Sequence, residues 1–275
     1  MIPPEEVANC MNDFYVNIAK DIATDKNCPK WKDYGSTEDF VEAAIDYHKS
    51  HPSVANIEKA KVKENFSFTH VSAAEAHLAI KDLNIKKATG TDSIPAKVLN
   101  LASDILAPTF ARLFNTCVNS SRFPHEAKKA EVVPIYKKED ALNKKNHRPV
   151  SILTSTSKVL EKIMNNQLSS KWLNKIYNDS LSAFRAGYNC QHVLIGITEK
   201  WREMKEAKEI PGLLLVDLSK AFDCLTHSLI TAKLKVYGMD SKSNTLLTDY
   251  LSGRSQRVRI NNITGGWKNI PTGVP

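Results

Sequence analysis

Gly212-Leu213-Leu214-Leu215-Val216-Asp217-Leu218-Ser219-Lys220-Ala221-Phe222-Asp223 is the stretch whose reading decides the fold. Its unbroken apolar run predicts a buried strand over Gly212–Leu218. Asp217 stands at the exit of that strand, and two readings of it compete. Strands often end in Asp to cap the helix that follows, and Asp217 or Ser219 could do so. A hard divalent cation, by contrast, needs oxygen ligands at such a place, and Mg²⁺ takes one or two carboxylates plus substrate phosphates. In two-metal phosphoryl transfer the ions sit about 3.5–4 Å apart, flanking the attacking and leaving oxygens.

Outward from this segment, helices and isolated strands alternate without regular βαβ spacing, which predicts an α+β fold. Downstream, Leu229–Tyr237 reads as a helix stopped by Gly238, and Asn244–Leu251 as one stopped by Gly253. Gln256–Ile260 and Trp267–Ile270 read as a hairpin turned at Asn261-Asn262 and Gly265-Gly266. Upstream, Lys158–Ile176 and Gln191–Lys205 read as helices, and Glu131–Tyr136 as a short strand. Ser72-Ala-Ala-Glu75 is a capping box opening a helix through about Leu83. A helix could begin at Pro95, with Asp104–Pro108 as its kink. Residues 1–65 differ from the rest. Val7, Met11, Phe14, Ile18 and Ile22 give Glu5–Ile22 a helical stripe, Thr37–His48 reads as a second helix, and His51–Asn65 as a linker. This region reads as a helical extension without chemistry of its own, apart from a second unit over 66–275.

The chain has 275 residues, 38 Lys+Arg against 30 Asp+Glu, and a formal charge of +8, a balance that favours a polyanionic partner. No run approaches the roughly 18–20 apolar residues of a membrane span, and Met1-Ile-Pro-Pro-Glu-Glu lacks the features of a secretory signal. Five scattered cysteines (10, 28, 117, 190 and 224) suit reduced thiols in a cytosolic or nuclear protein better than disulfides or zinc. No P-loop, G-x-S-x-G or H-E-x-x-H is present. Trp31, Trp172, Trp201 and Trp267 read as core or interface anchors.

Asp217-Leu-Ser-Lys-Ala-Phe-Asp223, with His227 after it, resembles the first catalytic block of reverse transcriptases of non-LTR (LINE-type, jockey-like) retrotransposons. Other blocks agree in order. Lys86–Pro95 resembles the K-x-PG-x-DGIP block, while Val132–Lys138 and Asn146–Ser151 resemble the fingers block. Ala183–Gly187 resembles GFR-x-G, Tyr250–Val258 resembles YLSGR-x-QRV, and Thr272–Pro275 the start of GVPQGS. The resemblance covers about Phe66 to Pro275, and residues 1–65 would be the connector after the endonuclease. Thr89, Ser93 and Ala183 stand where the family has Pro, Gly and Gly, changes of loop geometry rather than chemistry.

The resemblance implies RNA-directed DNA polymerase activity and an incomplete right-hand polymerase fold, fingers plus the first part of the palm. It implies two Mg²⁺ ions in the intact parent, with Mn²⁺ as the alternative. Its partners would be an RNA template, a DNA primer and deoxynucleoside triphosphates, in a ribonucleoprotein of cytoplasm and nucleus. Carried over, Asp217 would ligate the metals, with the Leu218 carbonyl as a backbone ligand. Phe222 would lie against the incoming sugar and exclude a 2′-hydroxyl. Arg148 would hold the triphosphate, assisted by Lys137, with Lys138 as the alternate. Asp223 could equally cap or pair within the next helix, and His227 reads as a structural hydrogen bond. Lys128, Lys129, Lys138, Lys144 and Lys145 would face nucleic-acid phosphates, joined by Arg254, Arg257 and Arg259 on the hairpin, unless the run is a solvated loop.

The paired aspartates of the F/Y-A-D-D block are not among the 275 residues, which implies a polypeptide inactive by itself. It also implies an open edge beside Gly212–Leu218, where the strands bearing those aspartates would pair. The alternative is a degenerate or co-opted remnant that binds nucleic acid without catalysis.

Overall fold

A computed structural model of the chain describes residues 3–19, 27–59, 64–218 and 220–274. The main core is helical. Ser72 accepts a hydrogen bond from the Glu75 amide, and the Glu75 carboxylate accepts one from the Ser72 amide, opening α4 (Ala73–Lys81). Its buried Ala76, Ala79 and Ile80 meet Phe110 and Phe114 of α6 (Ser103–Ser120). Between them lies α5 (Ala96–Leu101). The expected kink at Asp104–Pro108 falls earlier, at Ala102, whose backbone leaves the helical region. Pro108 sits inside α6 on its exposed face, where water can serve the carbonyl it leaves unpaired. α7 (Ser155–Leu168) adds Val159, Leu160 and Ile163 to this core. A π-helical turn over Ser169–Leu173, followed by the single turn α8 (Asn174–Ile176), then swings Trp172 inward, where its Nε1 donates to the Glu64 carbonyl at 2.7 Å.

The sheet has strand order β2-β1-β3-β4, with β5 also on β3. β1 (Lys129–Tyr136) and β2 (His147–Leu153) are antiparallel, with Ile135 opposite Arg148. β3 (Ser255–Ile260) runs parallel to β1, placing Arg257 opposite Glu131. β4 (Ile263–Thr264) and β5 (Lys268–Asn269) both return antiparallel to β3, so the expected hairpin is there with its second arm in two pieces. Asn261 and Asn262 turn it with positive φ, the conformation a tight hairpin demands.

α10 (His227–Val236) and α11 (Ser241–Leu251) end within one residue of the expected positions but begin two and three residues earlier, and Gly238 takes φ +105 between them. α2 (Thr37–His48) lies as expected, with its N-terminus capped by Ser36. Part of the expected linker is helical instead. α3 (Pro52–Lys59) buries Val54 and Ile57, two apolar residues at helical spacing in a polar stretch. α1 (Pro4–Val16) packs on the sheet at Val132 and Val258 through Ala8, Met11 and Tyr15. Its buried face is turned by about one residue from the expected stripe, and Val7 is left exposed. Ile22 and Ser219 lie outside the described residues.

The strand expected over Gly212–Leu218 is overturned. Gly212–Leu218 forms no strand and is not buried; Leu214 is 87% exposed and Val216 78%. An apolar run becomes a strand only where a ladder partner receives its backbone, and no described residue supplies one. α9 (Cys190–Glu206), capped by Asn189, likewise buries no residue. Of the four tryptophans only Trp172 is a core residue.

Candidate functional site

Segments distant in sequence close around one cavity of about 330 Å³. Pro149, Val150 and Ser151 of β2 form one wall, and Phe222 and Asp223 another. Thr272, Gly273 and Val274 form a third, and Gln256 of β3 also lines it. The second and third walls are bonded together. Gly273 N donates to the Leu225 carbonyl at 2.9 Å, Val274 N to that of Phe222 at 3.2 Å, and Thr272 Oγ1 to that of Asp223 at 3.1 Å. Gly273 has φ +86, and a Cβ there would lie 3.0 Å from backbone atoms of both Phe222 and Asp223, so glycine is required for this approach. His227 makes the structural hydrogen bond expected of it, donating from Nε2 to the Gly273 carbonyl at 2.6 Å. Burial pushes its imidazole below the usual range, with the Arg254 charge adding to that and the bond to Gly273 opposing it.

Phe222 presents an exposed ring, edge-on to Phe184 with centroids 6.3 Å apart. Asp223 is half-buried, and desolvation raises its carboxyl against the pull of Lys220. The last wall comes from the N-terminal helix region, through Tyr15, Val16 and Ile18. Sequence reading had missed Tyr15. The signal was the spacing of Ala8, Met11, Asn12 and Tyr15, hidden because Ala is only weakly apolar and Asn is polar.

Asp217 is exposed and caps no helix, since the next one, α10, starts at His227 behind Thr226. It does not line the cavity, and neither does Leu218, which is exposed. Arg148 is exposed on β2 beside Pro149 of the cavity wall. Lys137 N donates to the Asn146 carbonyl at 2.9 Å, extending the β1–β2 ladder. Ile135 pairs with Arg148, and Lys137 stands two residues beyond Ile135, so strand alternation puts Lys137 and Arg148 on one face.

The family profile described as reverse transcriptase (RNA-dependent DNA polymerase) matches residues 135–275, which contain Arg148, Asp217, Phe222 and Gly273. The chain belongs to the reverse transcriptase family. It is 26% identical over 199 residues to the probable RNA-directed DNA polymerase from transposon BS of Drosophila melanogaster, covering 72% of this chain and 22% of that protein. Against the RNA-directed DNA polymerase from mobile element jockey of the same organism it is 26% identical over 211 residues, 74% of this chain and 22% of the other. Against the probable polymerase from transposon X-element of that organism it is 27% identical over 202 residues, 73% and 22%. The chain thus spans 22% of the length of these curated relatives.

For this reverse transcriptase chain the family implies divalent ions, and the donor set can be tested against them. Among the described residues no three His, Cys, Asp or Glu side chains are grouped to hold an ion. Asp217 with the Leu218 carbonyl is less than a two-ion centre requires.

The basic residues divide in two. Lys128, expected on a phosphate-binding surface, is instead buried, with Nζ 2.7 Å from Asp249 Oδ2, and burial pushes its ammonium below the usual range. Arg254 is also inside, 2% exposed, with one guanidinium nitrogen donating to the Tyr250 carbonyl and its plane over the Tyr250 ring. Arg257 and Arg259 both clasp the buried Glu131 across the sheet, at 2.5 and 3.1 Å. Parallel pairing of β1 with β3 brings these charges together, which spacing within either strand could not reveal. Lys129 is held by Glu126 and lies over Trp267, and Lys138 is exposed and pairs with Glu139. Lys144 reaches over the Phe14 ring of α1, and Lys145 is exposed.

Proposed function

We propose that this chain supplies the fingers and first part of the palm of a non-LTR retrotransposon RNA-directed DNA polymerase. Its cavity receives the sugar and base of a deoxynucleoside triphosphate. The meeting of the Pro149, Phe222 and Gly273 blocks around one cavity of nucleoside size is the observation that carries this reading. Phe222, on the cavity wall, would crowd a 2′-hydroxyl. Arg148 and Lys137, sharing a face beside that cavity, offer a guanidinium fork and an ammonium to triphosphate oxygens. Lys144 and Lys145 offer charge to template phosphates. Asp217 and the Leu218 carbonyl would contribute to a pair of Mg²⁺ or Mn²⁺ sites in the whole polymerase.

An RNA–DNA primer–template titrated with the purified chain tests this. Binding should weaken linearly in log affinity with log salt. Salt-independent binding, or none, would contradict the proposal. Primer extension by these 275 residues with Mg²⁺ should give no template-dependent product, because among the described residues no three ligating side chains are grouped to hold an ion. The lack of such a group among the described residues also favours the second reading, a nucleic-acid-binding remnant. Template-dependent product would exclude it.

A further inference from the structure

Two ammonium groups from segments distant in sequence meet on one ring. Lys144 Nζ, from the loop between β1 and β2, lies 5.2 Å from the ring centroid of Phe14 in α1, and Lys220 Nζ, from the turn before Asp223, lies 4.7 Å from it. Desolvation pushes the Lys220 ammonium below the usual lysine range, the Lys145 charge adds to that, and Asp223 and Cys224 oppose it. Three cations thus converge beside α1. An aromatic face attracts a cation within about 6 Å, which at an exposed site is worth a factor of roughly two to five per contact.

α1 is held in place by specific bonds. Asn12 Nδ2 donates to the Gly266 carbonyl at 2.9 Å, and Gln256 Nε2 donates to Asn12 Oδ1 at 3.2 Å. Asn9 Oδ1 accepts from Gly266 N at 2.8 Å, and Lys268 pairs with Asp13. Phe14 is therefore a fixed seat, and the exposed lysines on their flexible four-carbon stems are the movable partners.

We propose that this seat is an autoinhibitory contact: in the free chain Phe14 holds Lys144 and Lys220, and an RNA–DNA primer–template must draw them off the ring before its phosphates can pair with them. The inference rests on the nucleic-acid reading above, in which Lys144 faces template phosphates. A phosphate oxygen accepts a charge-assisted hydrogen bond from an ammonium, whereas a phenyl face offers only its quadrupole, so the exchange runs toward nucleic acid at a cost set by the ring. Changing the ring therefore changes affinity in a fixed direction. A non-aromatic side chain of similar bulk releases the lysines, and an indole, the strongest cation–π partner, holds them harder.

Titration of an RNA–DNA primer–template with the full chain, native and as Phe14→Leu and Phe14→Trp, at several salt concentrations tests it. Phe14→Leu should bind roughly three- to tenfold more tightly, the range of one to two exposed cation–π contacts, with an unchanged salt slope because the same phosphates are neutralised in the complex. Phe14→Trp should bind more weakly than the native chain. With Lys144→Ala and Lys220→Ala also in place, neither replacement of Phe14 should matter. Affinity equal to native in both variants, or lower in both as a merely structural role of Phe14 would give, overturns the autoinhibitory contact while salt-dependent binding by the native chain leaves the nucleic-acid reading intact. Absence of binding by the native chain and by Phe14→Leu alike overturns both.

Discussion

His227 Nε2 lies 2.6 Å from the Gly273 carbonyl oxygen, and through that bond the turn after Phe222 is tied to the glycine segment across the cavity. The ring is buried and held neutral. In the unfolded chain it takes up a proton near pH 6.5, whereas in the fold it does so only at lower pH. The stability that comes from burying a neutral ring is therefore fully present above about pH 6.5 and declines as pH falls from there towards the lower folded value. Melting temperature measured from pH 7.5 to 5 should fall, and His227→Gln should flatten that slope. An unchanged slope in the variant would contradict this account of the ring.

Lys128 and Lys144 stand 16 positions apart in one basic run yet should behave oppositely. Lys128→Met removes one partner of the buried pair with Asp249 and should cost about 3 kcal/mol in urea unfolding, with little effect on the salt slope of nucleic-acid binding. Lys144→Ala with Lys145→Ala should leave stability within about 0.5 kcal/mol and reduce the slope by about one to two.

Ser93 has φ +54, where its family's block has glycine. The left-handed conformation is costly for any residue with a Cβ, so Ser93→Gly should raise stability by about 0.5–1 kcal/mol. Gly90, three residues earlier, should not tolerate a side chain. A Cβ there would meet the Leu153 carbonyl oxygen at 2.6 Å, and Gly90→Ala should destabilise by about 2 kcal/mol. Chemical denaturation of both variants checks the pair.

Leu214 and Leu215 are exposed, so Leu214→Ser and Leu215→Ser should change unfolding free energy by less than about 0.5 kcal/mol and raise solubility. Ile80, fully buried, should cost about 2–5 kcal/mol on truncation to Ala. A large loss at Leu214 would mean that the apolar run is packed after all.

These contrasts show what a linear reading could reach. The Ser72–Glu75 box, the stop at Gly238 and the Asn261-Asn262 turn are local, and each lies where its residues indicated. The meeting of Phe222 with Gly273 was legible only through the resemblance, which orders blocks without stating their contacts. Burial was less legible. Leu213–Val216 has the composition of an inner strand but lacks a ladder partner, while Lys128 looks solvated but meets Asp249 from 121 positions away. The parallel β1–β3 pairing and the placement of Tyr15 on the cavity depend on contacts between segments more than a hundred residues apart.

The most direct test of the central claim, that the cavity beside Phe222 is a deoxynucleotide pocket, is competitive binding of dCTP and CTP to the native chain and to Phe222→Ala. The native chain should favour dCTP, and the smaller side chain should admit the 2′-hydroxyl and narrow that preference by roughly tenfold. Equal preference in both proteins, or no binding of dCTP by the native chain, would contradict the account.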